Sequence, residues 1–143
     1  MNLKWLLLPL LFLSFGNHSP TYNFPQKGYF TSPLPPEVPM ILAGSFGELR
    51  SNHFHGGMDL KTKGQTGMKL RSVAEGYISR IRISSYGYGK VLYVTHPNGF
   101  TSVYAHLLRY NEKLEKFISK IQVEKEKWDI EVYLGKNEFP VNQ

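Results

Sequence analysis

The chain has 143 residues, 20% of them charged and 41% hydrophobic, and 17 Lys and Arg against 11 Asp and Glu give a formal net charge of +6. This is enough polypeptide for one domain of ordinary size, and the absence of cysteine excludes disulfides, thiolate metal sites and a lipid-modified N-terminal cysteine. The basic balance favours anionic partners such as cell-wall material or phospholipid surfaces. Nucleic acid is not expected, because the Lys and Arg residues are scattered and no recognition motif is present.

The first element is a targeting signal. Lys4 precedes an almost wholly apolar run from Trp5 to Phe15, broken only by Pro9 and Ser14, and Ser14-Phe15-Gly16 sets small residues at −3 and −1 before Asn17. That is the layout of a secretory signal peptide, and the run falls short of the roughly 20 apolar residues of a spanning helix. Residues 1–16 are expected to be a cleaved signal, against the competing readings of an uncleaved anchor or a buried helix. The expected location is therefore outside the cytoplasm, in the periplasm or cell envelope, with membrane contact only through the signal.

Residues 17–39 form a proline-rich lead-in, with Pro20, Pro25, Pro33, Pro35, Pro36 and Pro39. Proline fixes φ and removes ladder donors, so this stretch is expected to be extended and irregular. Its aromatics Tyr22, Phe24, Tyr29 and Phe30 predict packing along the domain that follows, over residues 40–143. From Met40 to His106 the pattern is one of short strands between glycine turns. Ile81 and Ile83 alternate with Arg80 and Arg82, a period of two. Val91–His96 and Phe100–Tyr104 flank Pro97-Asn98-Gly99, which reads as a hairpin turn. Asn111 then stands as an N-cap before apolar positions at Leu114, Phe117, Ile118 and Ile121, the stripe of an amphipathic helix. The stripe is expected to lie against the sheet, a partner-binding surface being the alternative. Ile130–Leu134 completes the pattern as a further strand. The fold class is mainly β, antiparallel, with one inserted helix.

Three residues in this framework suggest chemistry. In His53-Phe54-His55-Gly56-Gly57-Met58-Asp59, the spacing of His55 and Asp59 puts both side chains on one side of a helix or strand, and the two glycines argue for an irregular strand start where backbone crowds a ligand. Imidazole nitrogen and carboxylate oxygen suit zinc, but a catalytic zinc takes three protein ligands and an open position. Alone, the pair is weak; such pairs arise by chance. His106, in Tyr104-Ala105-His106-Leu107, ends a predicted strand and is either a proton-transfer group in a cleft or an imidazole tied to a turn.

Gly47-Glu48-Leu49-Arg50, HFHGGMD, Ala74-Glu75-Gly76-Tyr77-Ile78, Tyr88-Gly89-Lys90-Val91-Leu92-Tyr93-Val94, His96-Pro97-Asn98-Gly99-Phe100 and YAHL occur in the order and spacing of one family. Over roughly residues 40–140 the chain resembles the lysostaphin-type (LytM-like) zinc metallopeptidase domain, in the version of Bacteroidetes-like bacteria that carries a charged helix after YAHL. The resemblance implies a β-sheet or sandwich built on a duplicated hybrid motif, zinc as cofactor, and a peptide substrate in peptidoglycan. It implies zinc ligation by His55 and Asp59 and a catalytic role beside the metal for His106; His53 is second to these or incidental, His96 structural, and His18 irrelevant. The family's third zinc ligand and a further catalytic histidine lie on a His-x-His strand. No histidine follows His106 here, so the chain is expected to be a C-terminally truncated, inactive fragment of a zinc endopeptidase, or else a non-catalytic relative that binds the wall or regulates another hydrolase.

Overall fold

An alternation of isoleucine and arginine builds the central strand. The computed structural model describes residues 24–142; the expected signal peptide, His18 and the start of the lead-in lie outside the described residues. In β3 (Gly76–Ile83), Ile78, Ile81 and Ile83 are buried and Arg82 is exposed. Ile78 and Ile81 are three apart yet share one apolar cluster, because a bulge between Ile78 and Arg80 shifts the register by one residue.

The other strands assemble antiparallel around β3. On one side lies β4 (Lys90–Thr95), followed by β5 (Thr101–Leu107). The turn between them is the predicted one: His96 and Phe100 are joined by an N–H···O bond of 2.8 Å, the Gly99 amide donates to the His96 carbonyl at 2.9 Å, and Gly99 takes φ +85°. On the other side of β3, β6 (Ile130–Tyr133) pairs with residues 80–83, and β7 (Pro140–Val141) with residues 76–77. The sheet order is β5-β4-β3-β6, with β7 beside the start of β3.

One helix covers this sheet. α1 (Glu112–Lys125) begins where the Asn111 side chain accepts the Leu114 amide at 3.0 Å, and it stops at Glu126, which adopts the left-handed conformation. Leu114 and Ile118 are buried against Ile78, Ile81, Ile83, Val94 and Ile130, with Phe117 and Ile121 at the margin. The stripe therefore faces the sheet, as its periodicity predicts. Tyr110, just before the helix, points its hydroxyl at the Arg82 and Val91 carbonyls, 3.3 and 3.4 Å away, and burial pushes its phenol pKa up.

From Phe24 to Ile41 the described part of the lead-in carries no regular element, but it is pinned to the domain. The Thr31 amide donates to the Val73 carbonyl at 2.8 Å, the Arg71 amide to the Pro33 carbonyl at 2.9 Å, and Leu34 is 1% exposed. Phe30 packs edge-on against His96 and Phe100, whereas Phe24 faces solvent. A second, small antiparallel sheet joins β1 (Leu42–Gly44) to β2 (Asp59–Leu60), setting Gly44 opposite Asp59. The long loop between them folds back through a bridge of Leu49 with Phe54. The molecule is mainly β, with antiparallel sheets and a single helix among the described residues; none of those residues forms a helix long and apolar enough to cross a membrane.

Candidate metal centre

The pairing of Gly44 with Asp59 determines what surrounds the carboxylate. A Cβ at residue 44 would lie 2.6 Å from both Arg50 Nη2 and Asp59 Oδ2, so only glycine leaves room for the guanidinium above β1. Arg50 fills that space. Its Nη2 donates to Asp59 Oδ2 at 2.6 Å and to Glu48 Oε2 at 3.3 Å. This hydrogen bond, opposed by desolvation and assisted by the charges of His55, Arg50 and, least, His106, holds the Asp59 carboxyl below the ordinary carboxylate range. Asp59 is thus ionised at neutral pH, with Oδ1 left uncommitted to Arg50.

Oδ1 faces His55. The His55 Nε2 to Asp59 Oδ1 distance is 3.3 Å, while His55 Nδ1 lies 3.0 Å from the Ser45 carbonyl oxygen. A carbonyl only accepts, so Nδ1 carries the hydrogen, and in the neutral ring Nε2 presents a lone pair to a carboxylate oxygen. Two such acceptors are satisfied only by a cation between them, either a proton or a metal ion. In a tetrahedral zinc site with bonds of 2.0–2.1 Å, two ligand atoms stand about 3.3 Å apart, and a ligating histidine typically donates its other N–H to a carbonyl or carboxylate. The donor pair therefore fits zinc in element, spacing and outer support. It is a pair, not a full set: among the described residues no group of three His, Cys, Asp or Glu side chains gathers to hold a metal.

His106 approaches from the large sheet. The register between β4 and β5 slips between Lys90 and Leu92, leaving an extra residue on β5. His106 occupies this bulge with φ +55°, a conformation unusual for a side chain other than glycine, asparagine or aspartate, though histidine tolerates it better than most. Its amide donates to the Tyr88 carbonyl at 3.0 Å, and its ring stands edge-on to the Tyr88 ring, centroids 5.8 Å apart. The bulge turns the imidazole outward into solvent, on the side where its charge acts on Asp59. Tyr88 continues the link, since a Cβ on Gly56 would lie 3.6 Å from its hydroxyl.

The other two described histidines separate cleanly. His53 is exposed and bonded to its neighbour, Nδ1 to Asn52 Oδ1 at 2.6 Å; it does not join His55. His96 is 3% exposed, with Nδ1 2.7 Å from the Glu75 carbonyl and Nε2 2.9 Å from Ser102 Oγ, which lies 3.0 Å from the Tyr104 hydroxyl. Its ring knits the β4–β5 turn to residues 73–75, because Tyr104 in turn accepts the Val73 amide at 2.8 Å. Sequence reasoning assigned no role to Arg50, Gly44 or Tyr88. Arg50 stood in the GELR segment and Tyr88 in a glycine turn, but only the β1–β2 register and the β5 bulge reveal what each touches.

Residues 53–123 match the family model for Peptidase family M23, while no curated protein and no solved structure matches the chain. The matched stretch contains His55, Asp59, Tyr88 and His106 together with β3, β4, β5 and most of α1. The chain thus carries a lysostaphin-type, LytM-like domain of peptidase family M23.

Proposed function

We propose that this domain is of the zinc metalloendopeptidase type, acting on the peptide cross-links of peptidoglycan in the cell envelope after export. The observation that carries the proposal is the 3.3 Å approach of His55 Nε2 to Asp59 Oδ1, with the other imidazole nitrogen and the other carboxylate oxygen each held by a partner of the opposite polarity. His55 and Asp59 are the residues that hold the metal. A zinc ion bound there supplies Lewis acidity to a scissile carbonyl and to water. The chain's own groups do the rest. Arg50 keeps Asp59 ionised and oriented, Ser45 fixes the His55 tautomer, and His106, held out by its bulge, moves a proton or donates to the carbonyl oxygen as charge develops on it. The family match and the basic charge support a peptidase acting on an anionic polymer.

A second reading, a peptidase-like domain that binds the wall or regulates another hydrolase, is favoured by the two-member donor set among the described residues. The two part in one experiment: equilibrium dialysis of the protein against zinc, followed by incubation with purified peptidoglycan. On the first reading zinc binding falls with His55→Ala and with Asp59→Asn, and any muropeptide release falls with His106→Ala while zinc binding persists. Zinc binding untouched by both ligand variants removes this ligand set. Co-sedimentation with peptidoglycan that needs no zinc and is unchanged in His55→Ala and Asp59→Asn selects the binding reading.

A further inference from the structure

Beyond Tyr88, away from His106, the β3–β4 turn encloses a second feature. The Ser84 amide donates to the Gly89 carbonyl at 3.1 Å, and Gly87 and Gly89 take φ +74° and +63°. These conformations reverse the chain between β3 and β4 next to Arg82 and Val91, which pair across the two strands. A concavity of about 250 Å³ lies beneath, lined by Arg82, Ser84, Tyr86, Tyr88 and Val91. Val91 is fully buried at its floor, while Tyr86, 87% exposed, stands at the rim. Arg82 supplies the charge. The other arginine of β3, Arg80, is taken up by Glu131 and by the faces of Tyr93 and Tyr133. Among the described residues, the Arg82 guanidinium makes no hydrogen bond or ion pair and acts on Glu131 only through its field.

We infer that this concavity is a subsite for a carboxylate of the peptide substrate. Arg82 offers parallel N–H donors in the geometry a carboxylate accepts, and the Tyr86 and Tyr88 rings cover the aliphatic part of the residue that carries it. The volume is below the roughly 300–1,000 Å³ of pockets for drug-sized ligands, and it suits about one amino-acid residue. Tyr88 connects the subsite to the chemistry, since it lines the concavity with one part of its surface and contacts His106 with another. A residue held on Arg82 would therefore present the neighbouring part of its chain toward His106. The inference rests on the peptidase reading and adds to it a specificity determinant that the metal ligands do not provide.

The test uses three acetylated tripeptides on one backbone: one with a free C-terminal carboxylate, one amidated, and one amidated but bearing a glutamate side chain. Each is titrated into the 143-residue protein without added zinc and followed by backbone amide chemical shifts. The subsite predicts that at least one carboxylate probe binds about tenfold more tightly than the neutral amide, the magnitude of a charge-assisted hydrogen bond, with shifts centred on residues 82–91. The glutamate probe separates a side-chain carboxylate from a terminal one. Arg82→Gln should erase the difference between the charged and neutral probes, and Arg82→Lys should restore part of it; the side chain is exposed, so both variants should fold. Equal binding of all three probes, shifts away from this turn, or an unaltered preference in Arg82→Gln overturns the inference. Because no cleavage is read, a protein that shows the preference but binds zinc equally well in His55→Ala and Asp59→Asn loses only the peptidase reading. One that cleaves peptidoglycan while Arg82→Gln leaves KM unchanged loses only the subsite.

Discussion

At the scale of one residue, the role proposed for His106 and the stability of the fold pull apart. Its φ of +55° places an L-residue in the left-handed region at a cost of about 1–2 kcal/mol, and its imidazole is exposed rather than packed in the core. Nothing in the folding of β5 calls for a histidine there; glycine would sit in the bulge without strain. His106→Gly is therefore expected to hold or raise stability by up to about 1 kcal/mol, part of the gain being offset by the greater freedom of glycine in the unfolded chain. Any peptidoglycan cleavage should be lost. Urea unfolding and muropeptide release, measured on one preparation, check both halves, and a clear loss of stability would show that the imidazole is there for packing. The sequence placed His55, Asp59 and His106 as candidates because their spacings are local or belong to a familiar order. It did not expose Arg50, whose partner is set by the register of β1 on β2, or the strain at His106, which arises from a slip between β4 and β5.

The elements that the sequence foretold best are those whose signals are local. Helix α1 is one: the Asn111 cap, the stripe of Leu114 and Ile118, and the acidic first turn of Glu112 and Glu115 all agree. Because Asn111 Oδ1 satisfies the Leu114 amide, Asn111→Ala is expected to cost about 1 kcal/mol, and Asn111→Asp much less, as aspartate caps equally well. Thermal unfolding of the two variants measures this directly. A cost near zero for alanine would mean that packing of Leu114 and Ile118 alone holds the helix start. The short strands were less legible. β2 has two residues and β1 three, too few for a periodic pattern, and their pairing depends on a contact across the intervening loop. The β4–β5 hairpin declared its turn through Pro97-Asn98-Gly99, and β5 runs on to Leu107, one residue past the His106 strand end that the sequence predicts; what the sequence hides is the bulge at that end.

For the whole molecule, the site joins two bodies of unequal support. His106 stands on the five-stranded sheet, whose core residues Ile81 and Val91 are 0% exposed, whereas His55 and Asp59 stand on the small sheet and its loop, where Phe46, Leu49, Phe54 and Met58 are all at least 65% exposed. Apolar burial is the main stabilising term in a fold, so the β1–β2 unit should open well before the core does. Hydrogen exchange should then divide the described residues. The His55 and Lys61 amides, bonded to Glu48 and Ile41 carbonyls, should exchange through local opening. The β3–β4 ladder should exchange only with global unfolding. A ligand that binds only the closed form of a unit slows its opening by a factor of about 1 + [L]/Kd. Zinc at roughly a hundred times its Kd should therefore slow exchange at residues 47–61 about a hundredfold, and leave the Ile81 and Leu92 amides nearly unchanged. The same experiment on Asp59→Asn should show no zinc effect. Slowing spread evenly over both sheets would mean that the ion binds elsewhere or that the two sheets open together, and in either case the division of the site between a firm and a yielding half would be wrong.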